Sequence, residues 1–367
     1  MAKDLHLKPF DESTKAKLAI FQDYIREWLP VFVSARKIYW DTINIYDFFA
    51  GPGKDIAGVN GTPCIIVDEL KPYLDDLKKK GLAVNLYFNE FDKDKYQQLN
   101  AHFVFKDRDV LPYKVEIDSL DFKESFLKKL PDINKKDTTN LLFLDQYGIK
   151  HIGEDVFKQI INVKTTDFLF FISSSTIKRF CDHPNILQHI NLSPEEVEQT
   201  PYYQIHRLVL DYYRSLIPIG KTYYLASFSL KRGSNVYGLI FGSGHVLGIE
   251  KFLTTCWKID PARGEANFDI DNDKIKPDQL NLFTGEITKP KKTEVFEKEL
   301  MGCIEKLKLL TDKDVYLFTI TNGFLPSHGR GVLKRMVSEK RIQEGKFDLS
   351  SKICKFGAKL TAIKIIK

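Results

Sequence analysis

Several features are scarce in this sequence, and each absence excludes a class of protein or a kind of site. The five cysteines are far apart and never form a CxxC pair, at Cys64, Cys181, Cys256, Cys303 and Cys354. This spacing argues against a disulfide framework, a zinc cluster or a cysteine-ligated iron–sulfur site, and the histidines show no metal-ligand spacing either. The longest strongly apolar run, Phe168 to Ile172, is far shorter than the ~20 residues that cross a bilayer. The polar N-terminus lacks the apolar segment of a secretory signal, so we expect a reduced, cytoplasmic protein with no metal and no membrane partner.

A large charge of one sign is also absent, because 55 Lys and Arg stand against 49 Asp and Glu, a net charge of +6. The excess is local. Residues 288–367 contain 18 basic and 9 acidic side chains, which leaves 37 basic and 40 acidic ones for the rest of the chain. Residues 260–290, rich in Pro, Asp, Asn and Gly, are typical of a loop. With a length of 367 residues, we predict a domain over 1–260, a linker over 261–290 and a basic domain over 291–367.

Apolar runs alternate with helical patterns in the first domain. Strands are predicted at 42–49, 84–89, 113–117, 141–144 and 168–172. Helices are predicted at 12–37, 62–80, 93–103, 122–130 and 154–162. This alternation indicates an α/β fold with a parallel sheet and right-handed crossovers. Segments 221–230 and 235–241 flank a turn with Gly and Ser, which predicts an antiparallel hairpin at the end of the sheet.

The sharpest local signal is a glycine turn, residues 47–53, with the sequence Asp-Phe-Phe-Ala-Gly-Pro-Gly. Gly51 and Gly53 allow the backbone to approach a nucleotide-like ligand without interference from a Cβ atom. Glu90 follows the next strand and is placed to accept both hydroxyls of a ribose. It lies further from the glycines than the ~20 residues of the dinucleotide fingerprint, which weakens an NAD-type interpretation.

Asp118 follows the third strand and is a candidate acceptor for an adenine amine. Together with Asp47 at the first strand and Glu90 at the second, it belongs to the carboxyl edge where open α/β sheets bind ligands. The alternative interpretation is that all three are ordinary turn residues, and that Asp118 is a helix N-cap.

The glycine turn resembles the first motif of class I S-adenosylmethionine-dependent methyltransferases. More specifically, the chain resembles the bacterial three-Cys-motif partner proteins, over 15–29, 47–53, 61–63, 143–148 and 231–248. The resemblance implies a Rossmann-like methyltransferase fold that binds S-adenosylmethionine. The residues implied to hold this cofactor are Asp47, Phe49, Ala50, Gly51, Gly53, Glu90 and Asp118. It also implies a partner with a three-cysteine, radical-enzyme-like motif, encoded in mobile or antiviral defence loci.

A candidate reaction centre, Asp145-Gln146-Tyr147-Gly148, follows the fourth strand. In amine methyltransferases this position holds an acidic or amide residue, two prolines and an aromatic. Asp145 is therefore the candidate that orients an exocyclic amine, and Tyr147 is the candidate stacking platform. The pattern of the resembled family has proline where Gln146 stands, and its loss removes a fixed φ angle.

The predicted function is methyl transfer to a base amine of nucleic acid. Two alternatives stay open. The first, which Gln146 favours, is a non-catalytic methyltransferase-fold subunit that binds a partner enzyme. The second is a nucleic-acid-binding defence component whose effector chemistry lies elsewhere.

The basic C-terminal domain shows helical patterns at 294–310, 312–322 and 327–341, followed by strand-like alternation over 352–367. Three helices and a β-wing resemble a winged helix, in which the third helix enters the major groove of DNA. Its candidate nucleic-acid contacts are Arg330, Lys334, Arg335 and Arg341, which would hold phosphates. The alternatives are a solvated helix face and a protein-docking wing.

Overall fold

The computed structural model describes residues 9–103, 112–146, 151–187, 189–276, 279–280, 285 and 288–366. Contacts divide the chain into two compact units, Met1–His245 and Val246–Lys367. The sequence placed its first boundary after residue 260, whereas the structure assigns residues 246–260 to the C-terminal unit. None of the described helices is long and apolar enough to cross a membrane.

A seven-stranded sheet forms the centre of the first unit. Its strands are β1 (Thr42–Asp47), β2 (Ala83–Asn89), β3 (Tyr113–Asp118), β4 (Thr138–Leu144), β5 (Thr166–Ile172), β6 (Tyr224–Arg232) and β7 (Asn235–Ser243). Their spatial order is β3-β2-β1-β4-β5-β7-β6. Strands β1 to β5 pair in parallel, and β7 is antiparallel to both β5 and β6. The predicted Rossmann-like methyltransferase sheet, mostly parallel with a closing antiparallel hairpin, is confirmed.

Helices cross between these strands and cover the sheet. They are α1 (Glu12–Val33), α2 (Thr62–Leu70), α3 (Leu74–Lys80), α4 (Lys93–His102), α5 (Phe122–Ile133), α6 (Glu154–Asn162), α7 (Ser174–Arg179), α8 (Pro184–Leu187), α9 (Pro194–Gln199) and α10 (Ile205–Ser215). The single helix predicted over 62–80 is interrupted by a 3-10 turn at Lys71–Tyr73. Pro72 lies in that turn, and proline cannot donate the hydrogen bond of an α-helix. The helix predicted over 12–37 ends earlier, at Val33.

The core of this unit is strongly aromatic and aliphatic because its central strands are covered on both faces. Every residue of β4 is buried, which is typical of a strand inside a parallel sheet. Phe48, Phe126 and Phe168 are among the largest side chains that are completely buried. This packing fixes the positions at which the central strands end.

A ladder of amides, which we call the asparagine ladder and of which Asn44 and Asn140 are buried, joins the central strands. Asn85 donates to Asn44 Oδ1 at 2.9 Å, and Asn44 donates to Asn140 Oδ1 at 2.9 Å. Asn140 in turn donates to Thr166 Oγ1 at 3.0 Å and to the Ile133 carbonyl at 2.9 Å. Because buried polar groups are stable only when they are paired, the ladder favours this register of β2, β1, β4 and β5.

The C-terminal unit contains α11 (Val246–Ile259), α12 (Lys291–Glu305), α13 (Asp312–Thr321), α14 (Pro326–Ser338) and a 3-10 turn at Ser351–Cys354. The three predicted helices are present as α12 to α14. The strands predicted over 352–367 are wrong for the described residues to 366, where only the isolated bridges Thr311–Ala362 and Ile342–Ile365 form. Of the apolar residues in this segment, Ile353 and Ile363 are buried, whereas Phe356, Leu360 and Ile366 are exposed, and a β-wing is not confirmed.

The segment after α11 was predicted as a linker. Its described residues form no helix or strand, but residues 262–266 are buried. Arg263, itself buried, forms an ion pair with Asp273 and another with Asp269 at 2.9 Å. The Asp260 carboxylate accepts hydrogen bonds from backbone N–H groups of Arg263 and Glu265. This part of the linker is therefore a folded loop packed within the C-terminal unit.

Candidate active site

The predicted glycine turn lies at the carboxyl edge of the sheet, directly after β1. Gly51 and Gly53 have φ angles of 62° and 82°, in the left-handed region that glycine adopts without strain. A Cβ atom on Gly53 would lie 3.1 Å from side-chain carbons of Leu99 and His102. The Gly61 N–H donates to the Gly53 carbonyl at 2.8 Å. The turn is therefore packed closely against α4 and the start of α2.

Glu90 lies against this turn. Its Oε2 accepts a hydrogen bond from the Gly51 N–H at 2.8 Å, and its Oε1 accepts one from the Asp92 N–H at 2.9 Å. Burial raises the pKa of Glu90 above its ordinary value, while these two N–H groups act in the opposite direction. The structure thus brings the predicted glycine and carboxylate positions into direct contact across β1 and β2.

Asp47, the last residue of β1, is buried beneath the turn. Its Oδ1 accepts a hydrogen bond from the Phe49 N–H at 3.1 Å. Burial raises the pKa of Asp47 to about 8, and the charges of Asp145 and Glu90 add to this effect. Phe49 N–H and the Lys17 ammonium act in the opposite direction. Asp47 is therefore mostly uncharged at neutral pH, and it supports the turn from below.

This raised pKa predicts how stability depends on pH. An aspartate titrates near ~3.9 in an unfolded chain, so between pH ~4 and about 8 the folded state retains a proton that the unfolded state loses. The free energy of unfolding contributed by Asp47 therefore falls as pH rises through this window, and it is constant above it. Asp47→Asn keeps an acceptor oxygen but removes the group that titrates. We expect its stability relative to wild type to increase from pH 5 to pH 9, as measured by urea unfolding.

Asp75→Asn is the control for this measurement, because Asp75 is exposed on α3. Its stability relative to wild type should stay constant over the same range. A wild-type pH dependence that Asp47→Asn reproduces unchanged would contradict the assignment.

Asp145 lies at the end of β4, on the same edge, and forms an ion pair with Lys17 of α1. Both side chains are largely buried, with 23% and 14% of their surface exposed. The Lys17 ammonium also lies 5.0 Å from the centre of the Phe171 ring. Helix α1, whose role the sequence did not indicate, thus supplies a cation to the candidate reaction centre.

Gln146, the residue that departs from the resembled pattern, is completely buried. Its Oε1 accepts hydrogen bonds from the N–H groups of His151 at 2.8 Å and Ile152 at 3.3 Å. These bonds hold the two ends of the segment 146–152 together, which is a constraint of the kind that proline would supply through its fixed φ angle. Tyr147 and Gly148, the other half of the predicted centre, lie outside the described residues.

The backbone and the side chain of Asp118 have different hydrogen-bond partners. Its backbone carbonyl accepts from the Glu90 N–H at 3.1 Å, so its main chain is beside the site. Its Oδ2, however, accepts from the Tyr87 hydroxyl at 2.8 Å and the Lys128 ammonium at 2.6 Å. The structure therefore directs this carboxylate oxygen to α5 and does not bring it to the glycine turn.

Two aromatic residues at this edge have different surroundings. Phe49 stacks on Phe122 with ring centres 5.2 Å apart and also contacts His151. Phe91, which follows Glu90, is 70% exposed, and sequence reasoning missed it. The signal in the sequence was an aromatic residue directly after Glu90, the acidic residue that follows β2. Ala50 is buried, and its N–H donates to the Asn89 carbonyl at 2.9 Å.

The four basic residues predicted to contact nucleic acid differ in their surroundings. Arg335 forms an ion pair with Glu297 at 2.8 Å, and Arg341 forms pairs with Glu305 and Glu339. Arg330 is exposed and donates to the Leu349 carbonyl at 3.1 Å. Lys334 is exposed and has no ion pair with any described residue. Two of the four charges are thus neutralised inside the C-terminal unit.

No protein-family model matches the chain, and no curated protein matches it. Among solved structures it is similar to Trm1 from Pyrococcus horikoshii in complex with S-adenosyl-L-methionine, with 12% identity over 97% of this chain and 95% of that chain and a TM-score of 0.37. It is similar to M. jannaschii TYW2 in complex with AdoMet, with 11% identity over 65% and 78% of the two chains and a TM-score of 0.29. A SAM-dependent methyltransferase from Agrobacterium tumefaciens aligns with 10% identity over 64% and 62% of the two chains, with a TM-score of 0.34.

Proposed function

We propose that this protein is an S-adenosylmethionine-dependent methyltransferase that acts on nucleic acid, with a base amine as the methyl acceptor. The observation that carries the proposal is the 2.8 Å hydrogen bond between the Gly51 N–H and Glu90 Oε2. It joins a glycine turn and a partly buried carboxylate at the carboxyl edge of a parallel sheet, which is where such sheets bind nucleotide-like ligands.

The residues at this edge fit the cofactor. Gly51 and Gly53 leave the backbone open to close approach, and Glu90 offers acceptor oxygens for the ribose hydroxyls. Phe91 offers an exposed aromatic face for the adenine ring. When bound, S-adenosylmethionine supplies a methyl group activated by a sulfonium sulfur. Burial raises the pKa of Asp47, which reduces the negative charge beside Glu90.

Asp145 would orient the acceptor amine. Its Oδ2 is held by Lys17, which fixes the position of the carboxylate, and its second oxygen is available to accept an amine hydrogen. Such positioning supplies much of the catalysis in a transfer reaction. Tyr147 would provide the stacking face for the base, as its place in the sequence motif predicts.

A second candidate function is a non-catalytic subunit that binds a three-Cys-motif partner or serves a defence system. One observation favours it: both oxygens of Glu90 and one oxygen of Asp145 are already bonded within the protein. A site whose acceptors are satisfied internally is stable without a ligand. Binding of the cofactor distinguishes this candidate from the methyltransferase.

The test is calorimetric titration with S-adenosylmethionine and S-adenosylhomocysteine. We expect both ligands to bind the wild type. Glu90→Ala should weaken binding about 10- to 100-fold, because it removes charge-assisted hydrogen bonds. Glu124→Gln, an exposed acid on α5, is the control and should bind as the wild type does. Absence of binding to the wild type would overturn the enzyme assignment and leave the partner-subunit candidate. If both ligands bind, transfer of radiolabelled methyl groups to DNA, RNA and protein identifies the acceptor.

A further inference from the structure

A single aromatic side chain projects from the C-terminal unit with no cover from the described residues. Phe356 is 108% exposed, as much as in an extended peptide. Exposed apolar residues are common on protein surfaces, but a phenylalanine that is completely exposed has both faces of its ring in water. What distinguishes Phe356 is the turn that carries it and the charges around that turn.

The turn is held in place by its own backbone. The Ala358 N–H donates to the Lys355 carbonyl at 3.2 Å, and Gly357 has a φ angle of 75°. These features are typical of a type II turn with Phe356 at its second position, where glycine in the third position avoids strain. The preceding 3-10 turn is anchored by buried Ile353. Phe356 is thus presented from an ordered support.

The segment that carries this turn is rich in lysine. Leu349 to Lys367 contains five lysines and no acidic residue. Of these lysines, Lys352, Lys355 and Lys359 flank Phe356 in sequence and are exposed, without an ion pair to any described residue. Arg330 adds a further cation, because its guanidinium donates to the carbonyl of Leu349 at the base of the segment. An exposed ring among cations attracts a ligand that has both a flat apolar face and negative charges.

We propose that Phe356 stacks on an unpaired base of a single-stranded nucleic acid, while Lys352, Lys355 and Lys359 contact the neighbouring phosphates. Stacking on an exposed aromatic beside a basic surface is how sequence-tolerant single-strand binding works. A duplex conceals its base faces in the helical stack, so it would use the lysines without the ring. An anionic membrane also attracts lysines, but stable anchoring needs more apolar area than one side chain provides. The site uses none of the residues proposed for methyl transfer.

The test uses the full chain and fluorescence anisotropy with labelled polyuridine and polythymidine oligonucleotides of about 12 nucleotides, within the range of known site sizes. Phe356→Ala should weaken binding about 10-fold, from a stacking contribution of ~1–3 kcal/mol. Phe356→Trp should retain binding, and Phe356→Leu should lose it as alanine does, because leucine is apolar but has no π face. Ile219→Ala is the matched control, since Ile219 is equally exposed (107%) in the first unit.

Salt titration separates the two contributions. Lys355→Gln should reduce the slope of binding against salt concentration, whereas Phe356→Ala should leave the slope unchanged. Wild-type affinity for Phe356→Leu would overturn the stacking proposal, as would an equal loss of duplex and single-strand binding in Phe356→Ala. Sedimentation with phosphatidylserine vesicles that depends on Phe356, without oligonucleotide binding, would overturn it in favour of a membrane. The calorimetric titration of the cofactor is a separate measurement, so failure here leaves the methyl-transfer proposal standing.

Discussion

Methyl transfer is expected to fall by about 10²-fold or more when Asp145 is replaced by alanine, because a reacting group misplaced by ~1 Å can lose that factor. Alanine removes the oxygen that would accept the amine hydrogen, together with the ion pair with Lys17. Cofactor affinity should stay close to the wild-type value, because Asp145 is not among the residues proposed to hold it. Single-turnover transfer of a labelled methyl group, with calorimetry beside it, checks both expectations.

Lys17→Met removes the cation of the same ion pair. If Lys17 acts only by positioning Asp145, its removal should lower transfer without affecting cofactor binding. The double variant should then be no slower than Asp145→Ala alone, because residues that act as a unit are not additive. Lys15→Met is the control on the same helix, where Lys15 pairs with exposed Glu12. Wild-type transfer by Asp145→Ala would remove Asp145 from the reaction.

Asn140→Leu is expected to lower the free energy of unfolding by about 2 kcal/mol or more, because it leaves two buried polar groups without partners, each at a cost of ~1–3 kcal/mol. These groups are the Ile133 carbonyl and the side-chain NH2 of Asn44, whereas the Thr166 hydroxyl still donates to the Lys164 carbonyl. Urea unfolding at constant pH measures the effect. Asn191→Leu, at an exposed position in the same unit, should change stability by no more than ~0.5 kcal/mol. A similarly small change in Asn140→Leu would show that the ladder contributes little to the free energy of unfolding.

Much of the sheet could be predicted because each parallel strand is a short apolar run followed by a turn. Its register had a signal as well: Asn44, Asn85 and Asn140 each occupy the third position of their strand. These residues are opposite one another in the pairing of β1 with β2 and β4. The helices α7 to α9 had no comparable signal, because they have only four to six residues, too few for a helical period to be visible.

The candidate site was predictable only in part. Glu90 and the glycine turn come together because parallel strands end at one edge, which sequence order alone implies. Lys17 reaches Asp145 from 128 positions away, and no local pattern encodes such a contact. The error over 352–367 has a different cause. Alternation of apolar residues predicts a strand only if a neighbour completes the ladder, and here the segment contacts 311 and 342 at single bridges.

The asparagine ladder has a consequence for the growing chain on the ribosome. Strand β1 lies between β2 and β4, so one of its edges is unpaired until β4 has been made, several seconds later at ~5–20 residues per second. An open, apolar edge is a template for association with other chains. Asn44 places a polar amide among the apolar side chains of that temporary edge, and its donor group has no partner until Asn140 arrives. The same side chain that helps to specify the finished register thus makes the unfinished edge less able to aggregate.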